Sequence, residues 1–157
     1  MDNRVLAFNE ELVQLRVDAS TSLSVLKTIA KLLMVGGYVK DTYEQAIIAR
    51  EKIYPTGLPT EPFGVAVPHT DTEHVNRPAI AIVTLKKPVI FQQMGAPEVD
   101  VSVQIVFALA ITDKDAQIKI LEQLTEAFQD QRLMQRLMDA SSAEEVVHLL
   151  TANSEAL

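Results

Sequence analysis

The amino-acid sequence predicts an α/β fold, a layered domain in which helices flank a central mixed β-sheet. Two segments with helical periodicity come first, short apolar segments typical of strands follow, and further helical segments end the chain. This order, with at least one long central strand, favours layers packed around one sheet. A length of 157 residues is usual for one domain, so we expect a single domain over residues 1–157.

The predicted helices rest on apolar residues that recur every three or four positions. The first spans residues 20–36, ends at a pair of glycines, and has an apolar stripe formed by Leu23, Leu26, Ile29, Ala30, Leu33 and Met34. A second helix is expected over residues 41–53. From Asp113 onward the helical pattern returns, with further short helices over residues 130–138 and 143–150.

The predicted strands lie between these helical segments. Residues 64–68 and 79–85 are short apolar runs, and residues 89–91 are interpreted as the return strand of a hairpin. Residues 100–111, "DVSVQIVFALAI", alternate first and then become uniformly apolar. Such a run is typical of a strand that is buried on both faces.

Composition excludes several classes of function. The net charge of −7 and the scattered lysines and arginines argue against nucleic acid as a partner. The chain has no cysteine, which excludes disulfides, thiolate catalysis and cysteine zinc sites. We see no apolar run long enough to span a membrane and no signal-peptide pattern, and we expect a cytoplasmic protein.

The segment "FGVAVPHTDTEHV" contains two of the three histidines. Pro68 favours an extended residue before it, so the strand is expected to deliver the His69 side chain to the rim of the sheet. A neutral imidazole in that position is a good nucleophile near neutral pH. The residues after His69 are expected to start a turn or a short helix whose free N–H groups suit an anion.

Other interpretations of this segment stay open at this point. His69, Asp71, Glu73 and His74 offer nitrogen and oxygen ligands for a zinc ion, although their spacing is not that of His-Glu-x-x-His. The chain lacks the Gly-x-Ser-x-Gly elbow of serine hydrolases and the glycine-rich loop of nucleotide-driven kinases. We interpret His74 as a loop residue and His148 as a helix-surface residue, both without chemistry.

Three motifs carry a resemblance to a known family. They are "AIIAREKIYPTGL" (46–58), "GVAVPHTD" (64–71) and the strand "VQIVFALAI" (103–111) followed by an amphipathic helix. In this order and spacing, the chain resembles the enzyme IIA family of fructose, mannitol and galactitol type, over roughly residues 5–150. The first motif and "FQQ" (91–93) are most similar to the galactitol branch.

The resemblance implies the mannitol/fructose-type enzyme IIA fold and a phosphocarrier of the bacterial sugar phosphotransferase system. His69 then accepts a phosphoryl group on Nε2 from HPr and passes it to a cysteine of enzyme IIB. Arg50 matches the family's active-site arginine, and a guanidinium suits phosphoryl oxygens because it binds them bidentately. Thr56 lies in the segment that lines the same pocket. A solvated Arg50 and a Thr56 that only forms a turn are the alternatives.

The sequence departs from many relatives at two positions. Gln117 stands where they have a second histidine, and Thr70 stands where they have a small residue or glycine. An amide and a hydroxyl both offer hydrogen-bond donors to a phosphoryl group. The alternatives are an exposed helix position for Gln117 and a helix cap for Thr70.

The resemblance also implies the partners. HPr and enzyme IIB of the same transporter are expected, with peripheral association with the membrane transporter only through IIB and IIC. No metal and no diffusible cofactor are expected. An alternative function is a regulatory module whose histidine phosphorylation signals metabolic state, and the sequence does not disclose which sugar is transported.

Overall fold

The computed structural model describes residues 8–156, and side chains as far as Asn153. Two short 3₁₀ helices, Glu10–Leu12 and Thr72–His74, accompany ten regular elements. In chain order these are β1 (Val13–Val17), α1 (Ser22–Val35), α2 (Tyr43–Ile53), β2 (Gly57–Leu58), β3 (Gly64–Ala66), β4 (Ala79–Gln93), β5 (Ala96–Ala110), α3 (Lys114–Ala127), α4 (Gln131–Asp139) and α5 (Ala143–Ala156).

The sheet is mixed, and a long hairpin of β4 and β5 forms its centre. These two strands pair antiparallel from Ala79↔Ala110 to Gln93↔Ala96. Strand β1 pairs parallel with β4, and β3 pairs parallel with β5. Strand β2 pairs antiparallel with β3 and meets the end of β4 at one position. The end of β3 therefore lies against β5, near the open end of the hairpin where Ala79 pairs with Ala110.

Helices cover both faces of the sheet. One core packs α1 and α2 against a face whose central residues are small: Ala79, Ala81, Val83, Val106, Ala108 and Ala110. The other core packs α3, α4 and α5 against larger side chains: Ile80, Ile82, Ile105, Phe107 and Leu109. Successive residues of β4 and β5 alternate between the two cores, as the pleat requires. The prediction of a central strand buried on both faces is confirmed.

The helix predictions are confirmed to within a few residues. Helix α1 begins after Thr21, whose hydroxyl accepts a hydrogen bond from the Ser24 N–H at 3.1 Å. It ends at the predicted glycine pair, where Gly37 has a φ of +77° that disfavours residues with a Cβ. At α5, the Ser142 hydroxyl accepts from the Glu145 N–H. No helix within residues 8–156 is long and apolar enough to cross a membrane.

The prediction of a hairpin return at residues 89–91 is wrong. These residues continue β4 in the same direction, and the chain reverses only at Met94 and Gly95. The register shifts between Thr84 and Val89, and the residues between them include an exposed proline and two exposed lysines. Because Pro88 has no N–H to donate, this bulge resembles the end of a strand when only the sequence is read.

Replacing Phe107 by alanine is expected to destabilise the fold strongly. Its side chain is fully buried, and its ring lies 5.0 Å from the ring of Phe128. The cavity left behind should lower the free energy of unfolding by about 3–5 kcal/mol. Urea denaturation measures this change. Ile90→Thr, at a position 45% exposed on β4, should change it by less than about 0.5 kcal/mol; similar losses in both variants would contradict the expectation.

Candidate functional site

His69 lies where the chain leaves β3 and continues beside β5. The Leu109 N–H donates to the Pro68 carbonyl at 2.9 Å, and His69 bridges to Leu109 in parallel register. The segment therefore keeps a strand-like path past Ala66, the last residue of β3. The imidazole is half-buried, so it is fixed by the sheet and still accessible.

A hydrogen bond fixes the tautomer of His69. Its Nδ1 lies 2.8 Å from the Val67 carbonyl oxygen. A carbonyl only accepts hydrogen bonds, so Nδ1 must carry the proton. The lone pair of the neutral ring then resides on Nε2. Nε2 is therefore the ring nitrogen whose lone pair is available to an electrophile.

The surroundings of His69 favour its neutral form. Burial lowers the pKa of His69 below its usual value of 6.5, and the positive charge of Arg50 lowers it further. The hydrogen bond to Val67 and the charge of Asp71 act in the opposite direction but do not cancel this effect. The uncharged form of the ring is therefore favoured at neutral pH.

Arg50 reaches the histidine segment from the last turns of α2. Its Nη1 lies 4.0 Å from Oδ1 of Asp71, two residues after His69. The centre of its guanidinium lies 4.5 Å from the ring centroid of Tyr54, which supports one face. The Arg50 and Asp71 side chains are 40% and 60% exposed, so this ion pair is weak and easily exchanged.

Thr56 is buried and bound to a neighbour of Arg50. Its N–H donates to Oε2 of Glu51 at 2.7 Å, and its hydroxyl donates to Oε1 at 2.8 Å. Burial raises the pKa of Glu51 to about 7, although both hydrogen bonds from Thr56 lower it. The hydroxyl proton of Thr56 is therefore engaged with a carboxylate.

The other two predicted site residues have less defined contacts. Thr70 is buried directly after His69. Gln117 lies half-buried in the first turn of α3, where its N–H bonds to the Asp113 carbonyl at 3.0 Å. The hydrogen bonds found among residues 8–156 include none between the side chains of Gln117 and His69.

The two remaining histidines lie apart from this arrangement. His74 Nδ1 lies 2.8 Å from the Thr42 hydroxyl, beside the start of α2. His148 is exposed on α5. Within the described part of the chain, no three His, Cys, Asp or Glu side chains gather as a metal site. The structure therefore gives no support to the zinc interpretation of His69, Asp71, Glu73 and His74.

Sequence reasoning did not identify Glu51 or Tyr54 as part of this site. An acidic residue in the last turns of a helix is usually exposed, and nothing local marks Glu51 as buried. Asp71 was considered only as a metal ligand or a turn residue. Its pairing with Arg50 depends on how α2 packs against the sheet, which no local pattern specifies.

Comparisons with known proteins identify the family of the chain. The family described as "Phosphoenolpyruvate-dependent sugar phosphotransferase system, EIIA 2" matches residues 6–153. The "PTS system galactitol-specific EIIA component" of Escherichia coli (strain K12) is 34% identical over 114 residues, which are 73% of this chain and 75% of that protein.

Two solved structures share the fold. The crystal structure of IIA mannitol from Escherichia coli has a TM-score of 0.78 at 28% identity and covers 92% of this chain and 99% of its own. The complex of enzyme IIAMTL and phosphorylated enzyme IIBMTL from Escherichia coli has a TM-score of 0.78 at 26% identity, with coverages of 93% and 98%. They confirm the layered α/β fold and the predicted resemblance. The chain belongs to the EIIA 2 family of the phosphoenolpyruvate-dependent sugar phosphotransferase system, and it is a phosphotransferase of a sugar transport system.

Proposed function

We propose that the chain is a phosphocarrier that accepts a phosphoryl group from HPr on Nε2 of His69 and passes it to a cysteine of enzyme IIB. The observation that carries this proposal is the hydrogen bond from Nδ1 to the Val67 carbonyl. It leaves the Nε2 lone pair free on a ring that burial keeps neutral. A histidine nitrogen serves as nucleophile and as leaving group, which makes the transfer reversible.

The proposed reaction has two in-line steps. The Nε2 lone pair attacks the phosphorus, the P–Nε2 bond forms, and the bond to HPr breaks with its electron pair returning to HPr. In the second step the thiolate sulfur of enzyme IIB attacks, the S–P bond forms, and Nε2 recovers its lone pair. Nδ1 keeps its proton throughout, because the Val67 carbonyl holds it. Catalysis then consists of positioning and charge stabilisation.

Arg50 supplies the charge stabilisation in this proposal. Tyr54 covers one face of the Arg50 guanidinium. The N–H groups lie in the plane of the guanidinium and are therefore not covered by this ring. The exposed pairing with Asp71 at 4.0 Å is weaker than a bidentate bond to a phosphoryl dianion. The guanidinium therefore exchanges Asp71 for the phosphoryl oxygens when the group arrives.

The remaining predicted site residues assist the proposed transfer. Thr70 and Gln117 are proposed to donate hydrogen bonds to the phosphoryl oxygens, which stabilises charge without adding a titratable group. Thr56 is proposed to shape the wall of the site, since its hydroxyl proton is bound to Glu51. No cofactor or metal takes part in this scheme.

The proposed substrate pathway is uptake of a sugar or sugar alcohol of galactitol type. The support is the galactitol-specific relative, 34% identical over 114 residues. The complex of enzyme IIAMTL with phosphorylated enzyme IIBMTL supports a IIB partner. A net charge of −7 suits a basic HPr. We expect the chain to act in the cytoplasm and to meet the membrane transporter only through IIB and IIC.

Incubation with enzyme I, HPr and radiolabelled phosphoenolpyruvate tests the proposed transfer. The protein should become labelled on histidine, and the label should then leave it when enzyme IIB of a galactitol-type system is added. Label that stays on this protein with every IIB tested would instead favour the regulatory alternative. A failure to accept label would contradict both functions.

Variants of the two central residues should separate chemistry from folding. His69→Ala should abolish labelling, because no other nitrogen takes the place of Nε2. Arg50→Ala should slow labelling by about 10²–10³-fold, the usual effect of removing one donor that stabilises developing charge. Lys52→Ala removes an exposed cation from the same helix turn and should keep the wild-type rate. Equal rates in Arg50→Ala and Lys52→Ala would remove Arg50 from the site.

The pH dependence of labelling should follow His69. Protonation of Nε2 removes the lone pair, so the rate should fall as the pH falls through the lowered pKa of His69, which lies below 6.5. In an NMR titration, Arg50→Ala should raise this pKa, since the Arg50 charge lowers it. Asp71→Asn should lower it, since the Asp71 charge raises it. A His69 midpoint above 6.5 in the wild type would contradict the neutral nucleophile.

A further inference from the structure

Helix α2 is connected to the two residues before His69 through two buried polar side chains. On one side, the hydroxyl of Tyr43 donates to the Leu109 carbonyl at 3.0 Å. The N–H of the same Leu109 donates to the Pro68 carbonyl at 2.9 Å. Tyr43 is fully buried, so this hydrogen bond is shielded from water. One residue of β5 thus connects the start of α2 to the residue before His69.

The second connection runs through Glu51, near the other end of the helix. Its two carboxylate oxygens hold the N–H and the hydroxyl of Thr56. The Thr56 carbonyl accepts the Val67 N–H at 3.3 Å, and the Val67 carbonyl accepts the Nδ1 proton of His69 at 2.8 Å. Glu51 thus holds Thr56, and the Thr56 backbone pairs with Val67, whose carbonyl orients the imidazole of His69.

Arg50 belongs to the same rigid element as these two anchors. Tyr43, Ile47 and Arg50 follow the four- and three-residue spacing of one helix face. Any shift of α2 over the sheet would therefore move the guanidinium relative to the imidazole. Tyr43 ties the helix to Leu109 of β5, and Glu51 ties it to Thr56, which pairs with Val67. Together the two anchors restrict sliding and rotation of the helix.

Stability alone is a poor explanation for these groups. Burial raises the pKa of Glu51 to about 7, so the charged form is disfavoured where it lies. A buried carboxylate carries a desolvation cost that an apolar side chain does not. Directional hydrogen bonds fix the position of α2 more closely than apolar contacts do, and this role accounts for burying polar groups here.

We propose that Glu51 and Tyr43 are positioning residues that hold the Arg50 guanidinium at a fixed position relative to the His69 imidazole. This relative position is termed the register. Neither residue touches the phosphoryl group. Each acts through the backbone that flanks His69. The catalytic meaning of this register rests on the proposed phosphocarrier function, but the register itself does not.

An NMR titration of His69 tests the register without any phosphoryl transfer. The variants are Glu51→Ala and Tyr43→Phe, each made in the wild-type chain and in Arg50→Ala. Loss of either anchor should raise the pKa of His69, because the cation that lowers it is displaced. In the Arg50→Ala background the same changes should leave that pKa unaltered. An equal rise in both backgrounds would mean that the anchors merely keep the ring buried, and no rise in either would mean that they do not place Arg50. Both results overturn the inference.

A conservative variant separates the hydrogen bonds of Glu51 from its charge. In Glu51→Gln the amide oxygen can accept the Thr56 N–H while the amide nitrogen donates to the Thr56 hydroxyl. Positioning therefore predicts a wild-type pKa of His69 in Glu51→Gln. If Glu51→Gln behaves like Glu51→Ala, the charge matters rather than the contact, and the inference fails. Cooperative thermal unfolding of each variant confirms that folded protein is being compared.

Labelling rates connect the register to the chemistry. Phosphoramidate, a small donor that needs no docking, and HPr are used side by side. Tyr43→Phe and Glu51→Ala should slow both donors by roughly ten- to hundredfold, the usual effect of a misplacement of about 1 Å, and should have little effect in Arg50→Ala. Unchanged rates with both donors would overturn the inference. If wild-type protein accepts from neither donor, the phosphocarrier function fails, and the titration still decides the register.

Discussion

The hydrogen bond between Nδ1 of His69 and the Val67 carbonyl determines the chemistry available at the site. It joins two residues of the same short segment, so the ring is oriented by its own backbone. The remaining supports all serve this contact: the backbones of Thr56 and Leu109 hold residues 67 and 68, and the proline keeps the chain extended there. Without it, either nitrogen would be free to carry the proton, and the nucleophile would not be defined.

The two cores explain why such a short segment is held so firmly. The first half of β4 and the last half of β5 are buried on both faces, and their hairpin gives β3 and the histidine segment a continuous edge for pairing. A rigid scaffold beneath an accessible loop is the usual arrangement for a reactive side chain. The charged groups at the rim, Arg50 and Asp71, are by contrast partly exposed. The structure thus combines a fixed imidazole with a partly exposed ion pair beside it.

The sequence predicts the helices well because their signals are local. The stripe and cap of α1, and the serine that caps α5, are each read within one turn. Strand β1 was not predicted: it has five residues, and Arg16 within it has a φ of 53°. Strand β4 was divided at Pro88 because an interruption in the apolar pattern resembles its end.

Within the candidate site, the sequence singled out His69 because its motif is contiguous, and Arg50 came from the family resemblance. The contact of Tyr43 with Leu109 joins residues far apart in the chain, whereas that of Glu51 with Thr56 spans five residues and depends on the path of the chain after α2. Acidic and phenolic side chains in a helix carry no local sign that they are buried. Their functional interpretation therefore requires coordinates.

The small side chains on one face of the sheet have a consequence for residues far from His69. Ala79, Ala81 and Ala108 share one core with α1 and α2, and across this core the Tyr43 phenol reaches the Leu109 carbonyl. A bulkier residue at one of these positions would push the helix that carries the Arg50 guanidinium away from the sheet. The alanines therefore set the distance between helix and sheet. A substitution there is tolerated only while the Tyr43 hydroxyl still reaches Leu109.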